Sequence, residues 1–204
     1  MLKGAALWLL PVLVVCTVGQ AWAQYHDDPP RYWSVAPDRP QERGHALFRA
    51  EMLRGHNDAR RAVRQPPLRW NAELAADAQR YADTLARTRT FKHSREPRGT
   101  TPEGENLWMG SSGQFSYAEM IGGWIDERRW FRRAALPRFS TTGRWSDVGH
   151  YTQIIWHSTT EVGCAMAENR TDEYLVCRYT PPGNVYGRDP LGGDDPPVPM
   201  RTGR

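Results

Sequence analysis

The pattern that most constrains the fold is a pair of strand-like segments near the C-terminal end of the chain, each containing one cysteine. Residues 174–179 combine apolar and aromatic side chains as β-strands typically do, and residues 161–167 show a weaker version of the same pattern. Residues 169–172 between them are polar and turn-like, so together these segments predict a β-hairpin. Cys164 and Cys177 lie one in each predicted strand, so the hairpin contains both cysteines.

The first residues of the chain predict export. A short basic start is followed by an apolar run over residues 7–18, and Ala-Trp-Ala at residues 21–23 has the small-x-small form of a signal-peptidase site. We expect cleavage after this site; a retained N-terminal anchor is the alternative, although the run is short for a membrane span. Because Cys16 lies inside this segment, the mature chain keeps an even pair of cysteines, which in an exported protein predicts a Cys164–Cys177 disulfide.

The length of 204 residues suits one folded domain with flanking segments. We predict a signal peptide at 1–23, a linker rich in Pro, Arg and Asp at 24–44, a folded domain at 45–187 and a flexible tail at 188–204. The net charge of +4 permits contact with an anionic surface. The sequence contains no CxxC pair and no Cys/His spacing of the zinc-finger type, which excludes that class of metal site.

Helical periods occupy the first part of the predicted domain. Residues 45–64 form the first helix, and a second begins after the N-cap Asn71. A third begins at Ser116, which with Glu119 makes a capping box. The apolar faces of these helices comprise Leu53, His56, Ala59 and Val63; Leu74, Ala78, Tyr81 and Leu85; and Ile121, Trp124 and Ile125. The predicted helices come mostly first, a further strand is predicted at 104–108, and the hairpin comes last. This order of elements predicts an α+β layered domain.

Four short motifs follow one another in a recognisable order. GHYTQIIW at residues 149–156 and YLVCRYTPPGNV at residues 174–185 are similar to the two signature sequences of the CAP/SCP superfamily, which includes cysteine-rich secretory proteins and plant pathogenesis-related proteins. GENL at residues 104–107 and HNxxR at residues 56–60 resemble two shorter motifs of the same family. The resemblance extends over residues 48–187, and it implies a three-layer α-β-α sandwich with a central cleft.

The resemblance also implies two histidines and two glutamates in that cleft. Carried over by motif, they are His93 in FKHS, Glu105 in GENL, Glu127 in WIDE and His150 in GHYTQ. Neutral imidazoles are good ligands for zinc and similar divalent cations, and carboxylates beside them orient the rings or hold a metal-bound water. We therefore expect these four residues to bind a divalent cation, with zinc the first choice.

Two classes of function remain open at this point. In the first, the chain is a binding module that holds a cation in the cleft and takes a lipid, a sterol or a protein on its surface. In the second, it is an extracellular hydrolase, a peptidase in which Glu105 and Glu127 are the candidates for activating water. The sequence has no G-x-S-x-G elbow and no HExxH helix, so we favour the binding module and expect little general protease activity. A structural or defence protein with a vestigial cleft is a third alternative.

Other conspicuous residues are predicted to be structural. We expect His56 to pack and hydrogen-bond in the core, and Asn57 and Arg60 to be buried polar partners, because a buried arginine needs acceptors. The basic and aromatic run at residues 128–133 has the composition of a surface for anionic polymers or membranes. We favour a solvated helix end with both rings packed inward. We expect no nucleic-acid partner, no membrane span after signal cleavage, and an extracellular or periplasmic location.

Overall fold

The computed structural model describes residues 41–95 and 102–193. The predicted signal peptide, almost all of the predicted linker and the end of the predicted tail lie outside the described residues. The helices are α1 (His45–Ala62), α2 (Ala72–Thr88), α3 (Tyr117–Asp126) and α4 (Gly149–Ile154), and the strands are β1 (Arg69–Trp70), β2 (Gly104–Ser111), β3 (Glu161–Glu168) and β4 (Asp172–Thr180). Within the described ranges, no helix combines the length and hydrophobicity needed to cross a membrane.

The predicted starts of α2 and α3 are confirmed, and each has the side-chain cap that the sequence indicates. The Asn71 side chain accepts hydrogen bonds from the backbone N–H groups of Glu73 and Leu74, and Ser116 and Glu119 form the reciprocal capping box of α3. Helix α1 turns a somewhat different face inward than its apolar period predicts. Its buried residues are Phe48, Met52, Gly55, His56, Ala59 and Arg60, while Leu53 and Val63 are half-buried at the edge.

The hairpin and its disulfide are confirmed. Strands β3 and β4 pair antiparallel with Cys164 directly opposite Cys177, and the two are disulfide-bonded. Strand β2 pairs antiparallel with the other edge of β4 and extends three residues beyond the predicted 104–108. The two-residue strand β1 pairs parallel with β3 and was not predicted, because two residues carry no periodic signal.

The α+β three-layer arrangement is confirmed by the way alternate side chains of the sheet are buried. Leu175, Cys177 and Tyr179 of β4 pack in one core with residues of α1, α3 and α4. Tyr174 and Val176, on the opposite face of the same strand, pack in a second core with α2. The sheet therefore lies between α2 on one side and the other helices on the other.

His56 is a buried core residue, as predicted. Its Nδ1 donates to the Met52 carbonyl at 2.7 Å, and its Nε2 accepts from the Tyr179 hydroxyl at 2.8 Å. Burial lowers the pKa of His56 to about 4, and the positive charge of Arg60 acts in the same direction. The imidazole is therefore neutral in the folded protein at every pH above this value.

This burial predicts a loss of stability in mild acid. In the unfolded chain His56 takes up a proton near pH 6.5, whereas in the folded protein it does so only near pH 4, so the unfolded state binds more protons between these values. The free energy of unfolding should fall by roughly 3 kcal/mol as pH drops from about 6.5 to 4. Urea titrations at several pH values would measure it. A His56→Gln variant should show a shallower slope, with the exposed His157→Gln as control; an unchanged slope in His56→Gln would contradict the assignment.

Candidate functional site

His150 and Glu127 form the first pair of candidate site residues, and backbone groups at the start of a helix hold Glu127 in place. Glu127 follows α3 in a short 3-10 turn, and His150 lies in the first turn of α4. Oε1 of Glu127 lies 2.5 Å from Nδ1 of His150, while Oε2 accepts from the backbone N–H groups of His150 and Tyr151, both at 3.0 Å. The Trp124 ring stacks on the imidazole at a centroid distance of 5.8 Å. Backbone hydrogen bonds and stacking together fix this ring.

His93 and Glu105 form the second pair of candidate site residues. Glu105 lies on β2, and its Oε1 contacts Nδ1 of His93 at 2.7 Å and accepts from the Ser94 N–H at 2.9 Å. Its Oε2 lies 3.0 Å from Nη2 of Arg178. Burial alone would raise the pKa of Glu105, but the hydrogen bonds from His93 and Ser94 and the charge of Arg178 outweigh it and lower the pKa below its usual value. The carboxylate is therefore ionised at neutral pH.

These contacts select one tautomer of each neutral imidazole. An ionised carboxylate only accepts hydrogen bonds, so the ring nitrogen that faces it, Nδ1, must carry the hydrogen. Nε2 then holds the free lone pair. Within the described residues, neither the Nε2 of His93 nor that of His150 has a hydrogen-bond partner. A histidine that binds a metal through one ring nitrogen usually donates the hydrogen of the other to a carboxylate or a similar acceptor, and both rings have this arrangement.

The four predicted site residues form two His–Glu pairs. Each carboxylate lies on the Nδ1 side of its histidine, where it orients the ring. Across the parts of the chain that are described, the only set of three His, Cys, Asp or Glu residues with ligand atoms within 4.8 Å of one another is His56, Cys164 and Cys177. That set binds no metal, because both thiols are consumed in the disulfide.

Ser94, which follows His93 in the chain, and the arginine-rich segment at residues 128–133 have structural explanations. The Oγ of Ser94 accepts a hydrogen bond from Arg178 at 3.0 Å, and this bond gives the serine no histidine base. In the run at residues 128–133, Phe131 is half-buried, but Trp130 is 44% exposed. The prediction that both rings pack inward is therefore wrong for Trp130, which is the last residue of the 3-10 turn.

A separate groove lies away from the His–Glu pairs. It has a volume of about 610 Å³ and is bounded by the start of α1, by α2 and by β3. Phe48, Trp70 and Tyr117 supply aromatic walls, and Arg43 forms an ion pair with Glu173 at 2.9 Å at its rim. The groove is thus apolar in its walls and charged at its edge.

Comparisons with known proteins agree with the motifs. The sequence model of the cysteine-rich secretory protein family, CAP, matches residues 53–179. A PR-1 type pathogenesis-related protein of Sambucus nigra is 33% identical over 183 residues, which is 89% of this chain and 95% of the relative. Cysteine-rich secretory protein 2 of Homo sapiens is 32% identical over 191 residues, covering 88% of this chain and 72% of the relative. The crystal structure of NaASP2 with Zn²⁺ aligns with a TM-score of 0.61 at 26% identity, covering 79% of this chain and 92% of that one.

Proposed function

Because the chain belongs to the cysteine-rich secretory protein (CAP) family, we propose that it is an exported binding protein that holds one divalent cation through Nε2 of His93 and Nε2 of His150. The main support for the proposal is an arrangement of ring nitrogens that the two imidazoles share. Each imidazole places Nδ1 on an ionisable carboxylate and leaves Nε2 without a partner among the described residues. A solved relative, NaASP2, has been crystallised with Zn²⁺, which supports zinc as the probe.

The donor set fits an open site. Two imidazoles leave coordination positions for water, as in non-structural zinc sites. Glu105 and Glu127 act on the rings: each accepts the Nδ1 hydrogen, fixes the tautomer and raises the basicity of Nε2. A bound cation would supply a Lewis acid at the cleft, and the residues of the chain bind it and orient its ligands.

Zinc titration calorimetry on the purified mature protein tests the proposal. His150→Ala should reduce affinity by at least ~100-fold, and His93→Ala, His150→Ala should abolish binding, because the lost groups are the direct ligands. Glu127→Gln should weaken binding less, by about tenfold. Binding should also be lost in acid, because a protonated imidazole cannot coordinate a metal.

Two controls make the titration decisive. The exposed His157→Ala removes a histidine outside both pairs and should leave affinity unchanged. Circular dichroism should show that the double variant remains folded, since neither histidine belongs to the hydrophobic core or to the disulfide. Zinc binding at wild-type strength in the folded double variant would refute the proposed site.

Other parts of the expected function remain predictions. Export rests on the N-terminal sequence and on family relatives named as secretory proteins. A lipid, sterol or protein partner is implied by the resemblance, and the groove walled by Phe48, Trp70 and Tyr117 is a surface with the apolar lining that a lipid needs. In the hydrolase alternative Glu105 and Glu127 would activate water, but each carboxylate accepts from Nδ1 of a histidine, so the binding module is the function we propose.

A further inference from the structure

The two histidines are supported in different ways. His150 lies on a helix, and its partner Glu127 is held by two backbone N–H groups. His93 lies in residues 91–95, which form neither helix nor strand, and its side chain is 66% exposed. Side-chain contacts must therefore hold the His93 segment in place.

Arg178 lies at the centre of those contacts. It projects from β4 with a side chain only 9% exposed. Its Nη2 donates to Ser94 Oγ at 3.0 Å and lies 3.0 Å from Oε2 of Glu105, the carboxylate whose other oxygen contacts His93 Nδ1. Its Nη1 lies 3.5 Å from Oε2 of Glu103. One guanidinium thus links the site carboxylate with the residue that follows the histidine.

Tyr81 extends this support to the other side of the histidine. The guanidinium carbon of Arg178 lies 5.5 Å from the centroid of the Tyr81 ring, a cation–π contact. The Tyr81 hydroxyl donates to the Lys92 carbonyl at 2.6 Å. Both neighbours of His93, Lys92 and Ser94, are therefore held by Arg178 or by a ring that it contacts.

We propose that Arg178 is a positioning residue for the cation site: it holds Glu105 and the Lys92–Ser94 segment so that Nδ1 of His93 stays on the carboxylate and Nε2 stays available. The inference rests on the proposed function, because that function gives the positioned His93 ring its role. The arrangement itself needs no bound cation, because it concerns which ring nitrogen carries the hydrogen. Loss of Arg178 should release His93 and leave His150 in place.

Long-range ¹H–¹⁵N NMR of the imidazoles, recorded without metal at mildly alkaline pH, tests this directly because it distinguishes the two neutral tautomers. In the wild-type protein both His93 and His150 should show the Nδ1–H form. In Arg178→Gln, His93 should show mixed tautomers, as an unrestrained ring does, and His150 should be unchanged. Arg178→Lys keeps the charge and should restore part of the His93 signal. Arg43→Gln, which breaks a different Arg–Glu pair, is the matched control.

Zinc titration of the same variants separates this inference from the proposed function. Arg178→Gln should weaken zinc binding by about tenfold, the lower end of the effect of an outer partner of a metal ligand. If the wild-type protein binds no zinc but His93 responds to Arg178→Gln, the proposed function fails and the positioning role is supported. If Arg178→Gln does not fold, Ser94→Ala removes the bond from Arg178 to the segment and should shift His93 in the same direction. A His93 that keeps the Nδ1–H form in every folded variant overturns the inference.

Discussion

Replacing Arg60 with leucine is expected to lower the free energy of unfolding by at least about 4 kcal/mol. The buried guanidinium donates to the carbonyl oxygens of Pro66 at 2.6 Å, Ile154 at 2.9 Å, Trp156 at 2.9 Å and Thr159 at 3.1 Å. Burial lowers its pKa to about 10, so the side chain is still charged at neutral pH. Leucine would leave the carbonyl groups of buried residues without hydrogen-bond donors. It would also remove the hydrogen bonds that join α1 to the end of α4 and to the segment between α4 and β3.

Equilibrium urea denaturation, compared with the neighbouring Arg61→Leu, measures this effect. Arg61 is exposed and pairs with Asp58 on the helix surface, so its replacement should change stability by no more than about 0.5 kcal/mol. Arg60→Lys keeps the charge but loses the planar fork of donors, and its stability should lie between the wild type and the leucine variant. Equal stability of Arg60→Leu and Arg61→Leu would show that the buried hydrogen bonds contribute little.

Replacing Gly163 with alanine is expected to cost about 3 kcal/mol, because no space exists for a methyl group. A Cβ at this position of β3 would lie 2.2 Å from the Ala75 nitrogen, 2.5 Å from the Asn71 oxygen and 2.6 Å from the Leu74 carbonyl carbon. These are backbone atoms of the first turn of α2, and the Ala75 N–H donates to that Asn71 oxygen. The substitution must therefore push the start of the helix away from the sheet.

Gly122→Ala provides the matched control in the same denaturation experiment. Gly122 lies in α3, and a Cβ there would meet no atom within 4 Å. Alanine is favoured over glycine inside a helix by about 0.5–1 kcal/mol, so this variant should be slightly more stable than the wild type. Thus the same chemical change should have opposite signs at the two positions. A stable Gly163→Ala protein would mean that α2 does not pack on β3 as described.

The parts of the fold that were predicted correctly depend on neighbours in sequence. Asn71 and Ser116 bond to backbone groups two or three residues away, so their caps can be recognised in the sequence. Helix α4 and strand β1 were missed because six and two residues are too few to show a period. Trp130 was assigned to the interior because its run of rings and arginines does not indicate which ring faces solvent.

The candidate site shows the same division. The identities of His93, Glu105, Glu127 and His150 came from motif resemblance, since the partners are 12 and 23 residues apart and no local spacing links them. Arg178 was not predicted to take part, because it bonds to Ser94 across 84 residues of sequence. Its only sequence signal is a charged residue in the middle of an apolar strand.

The sequence by itself therefore determined the hairpin with its Cys164–Cys177 disulfide, the helix caps and the α+β class, because these follow from periodicity and from hydrogen bonds over a few residues. Only the tertiary structure decided that Arg60 binds four carbonyls, that Gly163 gives α2 room against the sheet, and that each site histidine turns Nδ1 to a carboxylate. Such contacts join segments distant in the chain, and their distances are set by how whole helices and strands pack.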